Sequence, residues 1–153
     1  MESSKNIHIL PALQSSKLAY YQESNNMEME NECIPYEQAL ALKELGFNKP
    51  CFGFYNNGEA TPYIRQDLSD ELKLIYTGDF EAPLFQQAFK WFREKYGLSG
   101  LIDIGTQEYS FFVFNEKEDS REVSNINGSY KEAELECLKK LIEIVKKNNE
   151  NTY

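Results

Sequence analysis

Residues 85–98 read FQQAFKWFREKYGL, with rings at Phe85, Phe89, Trp91, Phe92 and Tyr96. At about 100° per residue, Phe85, Phe89, Phe92 and Tyr96 fall within about 60° of one another, a stripe narrow enough to bury. Pro83 just before the stretch and Gly97 within it are start and stop residues, so the spacing predicts a helix over about 83–96. Lys90, Arg93, Glu94 and Lys95 cover the remaining surface. A buried ring removes ~150–250 Å² from water, which makes interior packing the expected use of the stripe. Trp91 flanks it beside Lys90 and Arg93, and is the ring placed as a candidate contact for a partner.

Downstream, LIDIG (101–105) and EYSFFVFN (108–115) alternate as strands do and predict a hairpin across Gly105 and Thr106. NEKEDSRE (115–122) reads as a loop leading to a last edge near VSNI (123–126). A final helix follows. Ser129 and Glu132 form a capping-box pair, and Tyr130, Ala133, Cys137, Leu138, Leu141, Ile144 and Val145 share one face through to Lys147.

Upstream, Pro35, YEQALALKEL (36–45) and Gly46 predict a first helix with matching start and stop residues. CFGFY (51–55) and ATPYI (60–64) then predict a hairpin, with Asn57 and Gly58 suited to a tight primed turn. Residues 66–82 read mostly as an acidic loop holding Asp67, Asp70, Glu71, Asp79 and Glu81, although LKLIY within it also fits a strand. Residues 1–32 are interrupted by Ser and Asn and close on Glu28, Glu30 and Glu32. They are expected to form an arm, partly ordered or mobile, ahead of a single domain over 33–148 and a disordered tail over 149–153. The resulting fold class is α+β: a mainly antiparallel sheet of two hairpins with three amphipathic helices packed on it, in the order αββ-αββ-α. The tetrads YEQA, FQQA and YKEA open the three helices, which points to an internal duplication or to a shared way of docking helix starts.

Composition narrows the chemistry. The chain has 153 residues, 14% of them aromatic, and 25 acids against 16 bases give a formal charge of −9. That charge repels phosphate backbones, so direct high-affinity DNA binding is not expected. No apolar run reaches about 18 residues, and MESSKNIHIL lacks the flanks of a secretion signal, so a cytoplasmic protein without membrane contact is expected. Cys33, Cys51 and Cys137 show no metal or redox spacing and read as buried, reduced thiols. The single histidine, His8, has no evident nucleophile or orienting acid nearby, and the glycines follow no phosphate-loop pattern. Asp67 with Glu71 and Lys73 loosely resembles a magnesium-nuclease triplet, which chance produces readily in so acidic a chain. No catalytic residue, metal or cofactor is therefore expected.

The strand YSFFVF (109–114) partly matches the aromatic strand of RNA-recognition sheets, with Ser110 and Phe112 departing from the pattern. Tyr109, Phe111 and Val113 lie on one side and Phe112 and Phe114 on the other, so one set is core. The first set is the candidate stacking face.

IPYEQALALKELGFNKPCFGFY, APLFQQAFKWFREKYGL and SYKEAELECLKKLIEIVKK, taken in order over residues 33–147, resemble a group of small proteins encoded by phages and prophages of Bacteroidota. The resemblance implies a phage origin and carries over no catalytic residues. With the acidic composition it leads to the expectation of a non-enzymatic anti-defence protein acting in the bacterial cytoplasm. It would bind and inhibit a defence effector, first of all a CRISPR RNA-guided nuclease with its guide RNA. The expected contacts are the acidic loops, through Asp67, Asp70, Glu71, Asp79, Glu81, Glu116, Glu118 and Asp119, together with Trp91. The alternative is a small RNA- or single-stranded-DNA-binding module of phage replication using the aromatic strand.

Overall fold

The computed structural model describes residues 29–65, 79–106, 108–126 and 128–150. Helix α1 spans Tyr36–Glu44, followed by strands β1 (Gly53–Tyr55), β2 (Tyr63–Ile64) and β3 (Phe80–Ala82). Helix α2 spans Phe85–Tyr96 and leads into β4 (Leu98–Ile104), β5 (Tyr109–Asn115), β6 (Ser120–Ile126) and helix α3 (Tyr130–Glu150). The chain is an α+β domain; among the described residues α1 and α2 are each followed by three strands, and α3 closes the order.

The strands form two separate antiparallel sheets, where the sequence pointed to one. In the first the order is β2-β1-β3, and in the second β4-β5-β6. The two αβββ units are thus wound differently, with the first strand central in one and the second central in the other. That difference counts against duplication. Ahead of the first two tetrads, the Ile34 N–H donates to the Pro83 carbonyl at 2.8 Å, and Cys33 bridges Leu84. The entries to α1 and α2 therefore lie side by side.

Several boundaries move from their expected places. Phe80–Ala82, expected as loop, is β3, because Phe80 and Ala82 bury while pairing with Tyr55 and Gly53. Three residues carry too little periodicity to announce a strand that depends on a distant partner. Ser120–Glu122, also expected as loop, opens β6, which leaves only 116–119 as the turn, with Asp119 left-handed at φ 48°. The first hairpin has a seven-residue connection over 56–62 instead of a tight primed turn. Glu59 N–H reaches the Asn56 carbonyl at 3.1 Å there, with Gly58 alone at positive φ, the sign pattern of a type II turn. Residues 29–32 form a helical turn whose Met29 packs on the core, and α3 continues to Glu150, so the domain extends beyond 33–148 at both ends. The rest of the arm (1–28), LKLIY and residues 151–153 lie outside the described residues.

Helix α2 ends as its sequence implied, with Gly97 at φ 71° accepting the left-handed cap. At its start, Gln87 accepts the Leu84 N–H at 3.0 Å. The buried side comprises Phe85, Ala88, Trp91 and Phe92, with Phe89 and Tyr96 at its edges. The arc is wider than the stripe of rings because Phe47, just past α1, closes on Trp91 at 5.4 Å between ring centroids. Helices α2 and α3 contact each other, and both lie against the second sheet. One continuous core joins Leu42, Tyr55, Phe92, Phe111, Leu138 and Leu141. Inside it the Tyr55 hydroxyl donates to the Ile34 carbonyl at 2.7 Å, and burial raises its pKa.

Candidate functional site

The second sheet has two unlike faces. Antiparallel pairing aligns residues in rows, and alternation sends successive rows to opposite sides. Phe111 and Val113 point under α3 and are 4% and 2% exposed. The opposite side carries the row Leu101–Phe112–Val123, flanked by Ser99–Phe114–Arg121 and Asp103–Ser110–Asn125. Leu101 is 60% exposed and Val123 52%, with Phe112 and Phe114 half-buried between the outer strands.

Polar groups organise the rim of this apolar row. The Arg121 guanidinium sits 3.9 Å from the centroid of the Phe112 ring, close enough for a cation–π contact. Ser110 and Asn125 are hydrogen-bonded at 2.9 Å in the next row. At the end of the sheet, the turn at 116–119 holds Glu116, Glu118 and Asp119, all exposed. The result is an apolar strip with one cation above it and carboxylates at one end, an arrangement suited to contact with a macromolecular surface.

The residues expected as contacts are distributed differently. Trp91 is 5% exposed and packed edge-on against Phe47, Phe92 and Tyr96, which leaves little of its ring open to a partner. Glu81 is held by Arg65 at 2.8 Å and by the Cys51 N–H at 2.9 Å. Asp79 accepts from the Asn57 N–H and braces the turn after β1. Both acids are therefore engaged by the first sheet, Glu81 part-buried within it and Asp79 at its exposed rim. Glu116, Glu118 and Asp119 remain exposed beside the apolar strip, whereas Asp67, Asp70 and Glu71 lie outside the described residues. The stacking face proposed from Tyr109, Phe111 and Val113 is the covered side, because α3 packs on it. Leu101, Phe112, Val123 and Arg121 were missed by the sequence reading. Their signal was present in YSFFVF, a strand apolar on both sides and therefore in excess of what one helix layer covers.

Other features among the described residues are limited. The depression between Lys49, Gln87, Lys90, Trp91 and Glu94 has a volume of about 280 Å³. Another, near Tyr96, Asn115 and Asn148, has about 170 Å³. Both fall below the ~300–1,000 Å³ of typical small-ligand sites. Burial pushes the Cys33 thiol up to about 11, and the Cys51 and Cys137 thiols up to about 12. Thiols so placed are poor nucleophiles at neutral pH. Among the described residues no three His, Cys, Asp or Glu side chains stand together as a metal site, and no helix is long and apolar enough to cross a membrane. His8 and the Asp67–Glu71–Lys73 triplet lie outside the described residues.

Fold and site together define a small α+β domain with one open apolar sheet face. Compared with known proteins, the chain matches no family model, and neither a curated protein nor a solved structure matches it.

Proposed function

We propose that this protein acts by binding a macromolecule, as a phage-derived inhibitor of a bacterial defence effector, with a CRISPR RNA-guided nuclease carrying its guide RNA as the first candidate. The observation that carries the binding reading is the exposed row Leu101–Phe112–Val123 on the side of the second sheet away from α3. Large apolar side chains aligned in one row, with a polar rim, favour a partner surface over solvent. The resemblance of residues 33–147 to phage and prophage proteins supports the choice of partner. Exposed Glu116, Glu118 and Asp119 and a net charge of −9 favour approach to a basic nucleic-acid channel.

The test is DNA cleavage by a purified, guide-loaded nuclease from a Bacteroidota host in the presence of the protein. Wild type suppresses cleavage, and the Leu101→Asp/Val123→Asp variant does not, while both keep the same far-ultraviolet circular dichroism. Undiminished cleavage at saturating wild-type protein, across the host's defence nucleases, discards the reading.

A second reading is favoured by Phe112, Phe114 and Arg121, which could stack single-stranded bases on the open face. It differs in its requirement for salt. Direct binding of a labelled oligonucleotide that weakens steeply between low and physiological salt, and is lost in Phe112→Ala, would select this reading over the inhibitor.

A further inference from the structure

The last strand of the second sheet stands outside the helical layer. Helices α2 and α3 lie against β4 and β5, and residues 120–125 of β6 are all exposed. Among the described residues, no backbone hydrogen bond other than those of the sheet ladder reaches β6. Proteins normally blunt such an edge with proline, a bulge or an outward charge. Here β6 has no proline and pairs with β5 through seven unbroken steps. Its two charges are drawn back over their own chain: Arg121 lies on Phe112, and Glu122 pairs with Lys140 of α3 at 2.8 Å.

We infer that β6 pairs with β6 of a second copy, antiparallel about a two-fold axis through Val123, to make one six-stranded sheet. The strand is complementary to itself in that register. Val123 is the midpoint of Ser120–Ile126, so it meets its own copy, Arg121 faces Asn125, and Glu122 faces Ser124. No like charges are opposed, and directly opposed side chains are the unit of sheet stabilisation. The apolar row Leu101–Phe112–Val123 ends at this edge, and pairing continues it into the same row of the second copy. Such an interface is isologous and closes on itself. The other outer strand, β4, is also centred on an exposed leucine, but both helices pack on it and several of its residues are half-buried. The dimer does not depend on the proposed inhibitor role, and it leaves the sheet face open.

Sedimentation equilibrium of the full chain tests the inference. Wild type is expected to reach twice the monomer mass with rising concentration. Val123→Lys and Val123→Glu alone are expected to stay monomeric, and an equimolar mixture of the two to recover the doubled mass. Amide exchange of residues 120–126 in wild type should slow as the dimer forms. A wild-type chain that remains monomeric into the high-micromolar range, or exchange that ignores concentration, overturns the inference. So does a dimer that Leu101→Lys breaks and Val123→Lys does not.

Discussion

Arg65 and Glu81 meet in a two-toothed ion pair across the first sheet, Nη1 to Oε2 at 2.8 Å and Nη2 to Oε1 at 3.0 Å. The same Nη1 donates to the Cys51 carbonyl at 2.7 Å, and the guanidinium lies 5.1 Å from the centre of the Phe54 ring. The pair thus ties the residue following β2 to β3 over the central strand. Planar, bidentate geometry of this kind is where an ion pair contributes most.

Removing one partner leaves the other only part of its hydrogen bonds, the Cys51 N–H for Glu81 and the Cys51 and Gly53 carbonyls for Arg65. Glu81→Ala is expected to lower stability by about 1–3 kcal/mol. In a double-mutant cycle with Arg65→Ala, the combined loss should fall short of the sum by at least about 0.5 kcal/mol, read from urea unfolding. Additive losses would show that the two side chains act independently.

The two sides of β5 predict unequal costs for the same truncation. Phe111 is 4% exposed beneath α3, so Phe111→Ala should cost about 3–5 kcal/mol. Phe112 faces outward under Arg121, and Phe112→Ala should cost about 1 kcal/mol, the scale of a cross-strand contact. Chemical denaturation of the two variants gives the comparison directly. Equal costs would show that the outer face is covered.

Gly100 is small because α3 crosses β4 there. A Cβ at that position would meet Cys137 Sγ at 2.8 Å and Leu141 Cδ1 at 3.2 Å. Gly100→Ala is expected to destabilise by about 1–3 kcal/mol through overpacking. Adding Cys137→Ala should recover part of that loss, so that the double variant is more stable than the summed singles, measured as a shift in the unfolding midpoint.

Acid should loosen the start of α3. Glu132 Oε2 accepts the Ser129 N–H at 2.6 Å and the Ser129 hydroxyl at 3.0 Å, and these bonds, the backbone one first, lower its carboxyl below the ordinary 4.5. A carboxyl lowered in the folded state contributes stability that is fully present above its ordinary value and is lost as pH falls through the lowered one. Helical ellipticity and amide protection near residue 130 should therefore decline at acid pH. Glu132→Gln should remove that pH dependence without abolishing the helix.

Local chemistry made α1, α2 and α3 readable. Pro35 and Gly46 bound α1, Gly97 caps α2 and the Ser129–Glu132 pair opens α3, and each of these acts within a turn or so of its own position. Trp91 shows the limit of the helical wheel, because Phe47 from another segment covers it. For Glu81 and Asp79 the sequence displayed two acids in an acidic stretch, and nothing local marks one as the partner of Arg65 and the other as a brace for Asn57.

The amino-acid sequence alone determined that this is an α+β domain with ring-rich helices and antiparallel strands, since periodicity and capping are short-range properties. The tertiary structure decided that the strands divide into two sheets, that Phe80–Ala82 is a strand, and that the side of β5 bearing Phe112 is the open one. Those outcomes depend on which surfaces meet across long chain separations. A strand apolar on both sides offers two equivalent faces, and only the docking of α2 and α3 chooses between them.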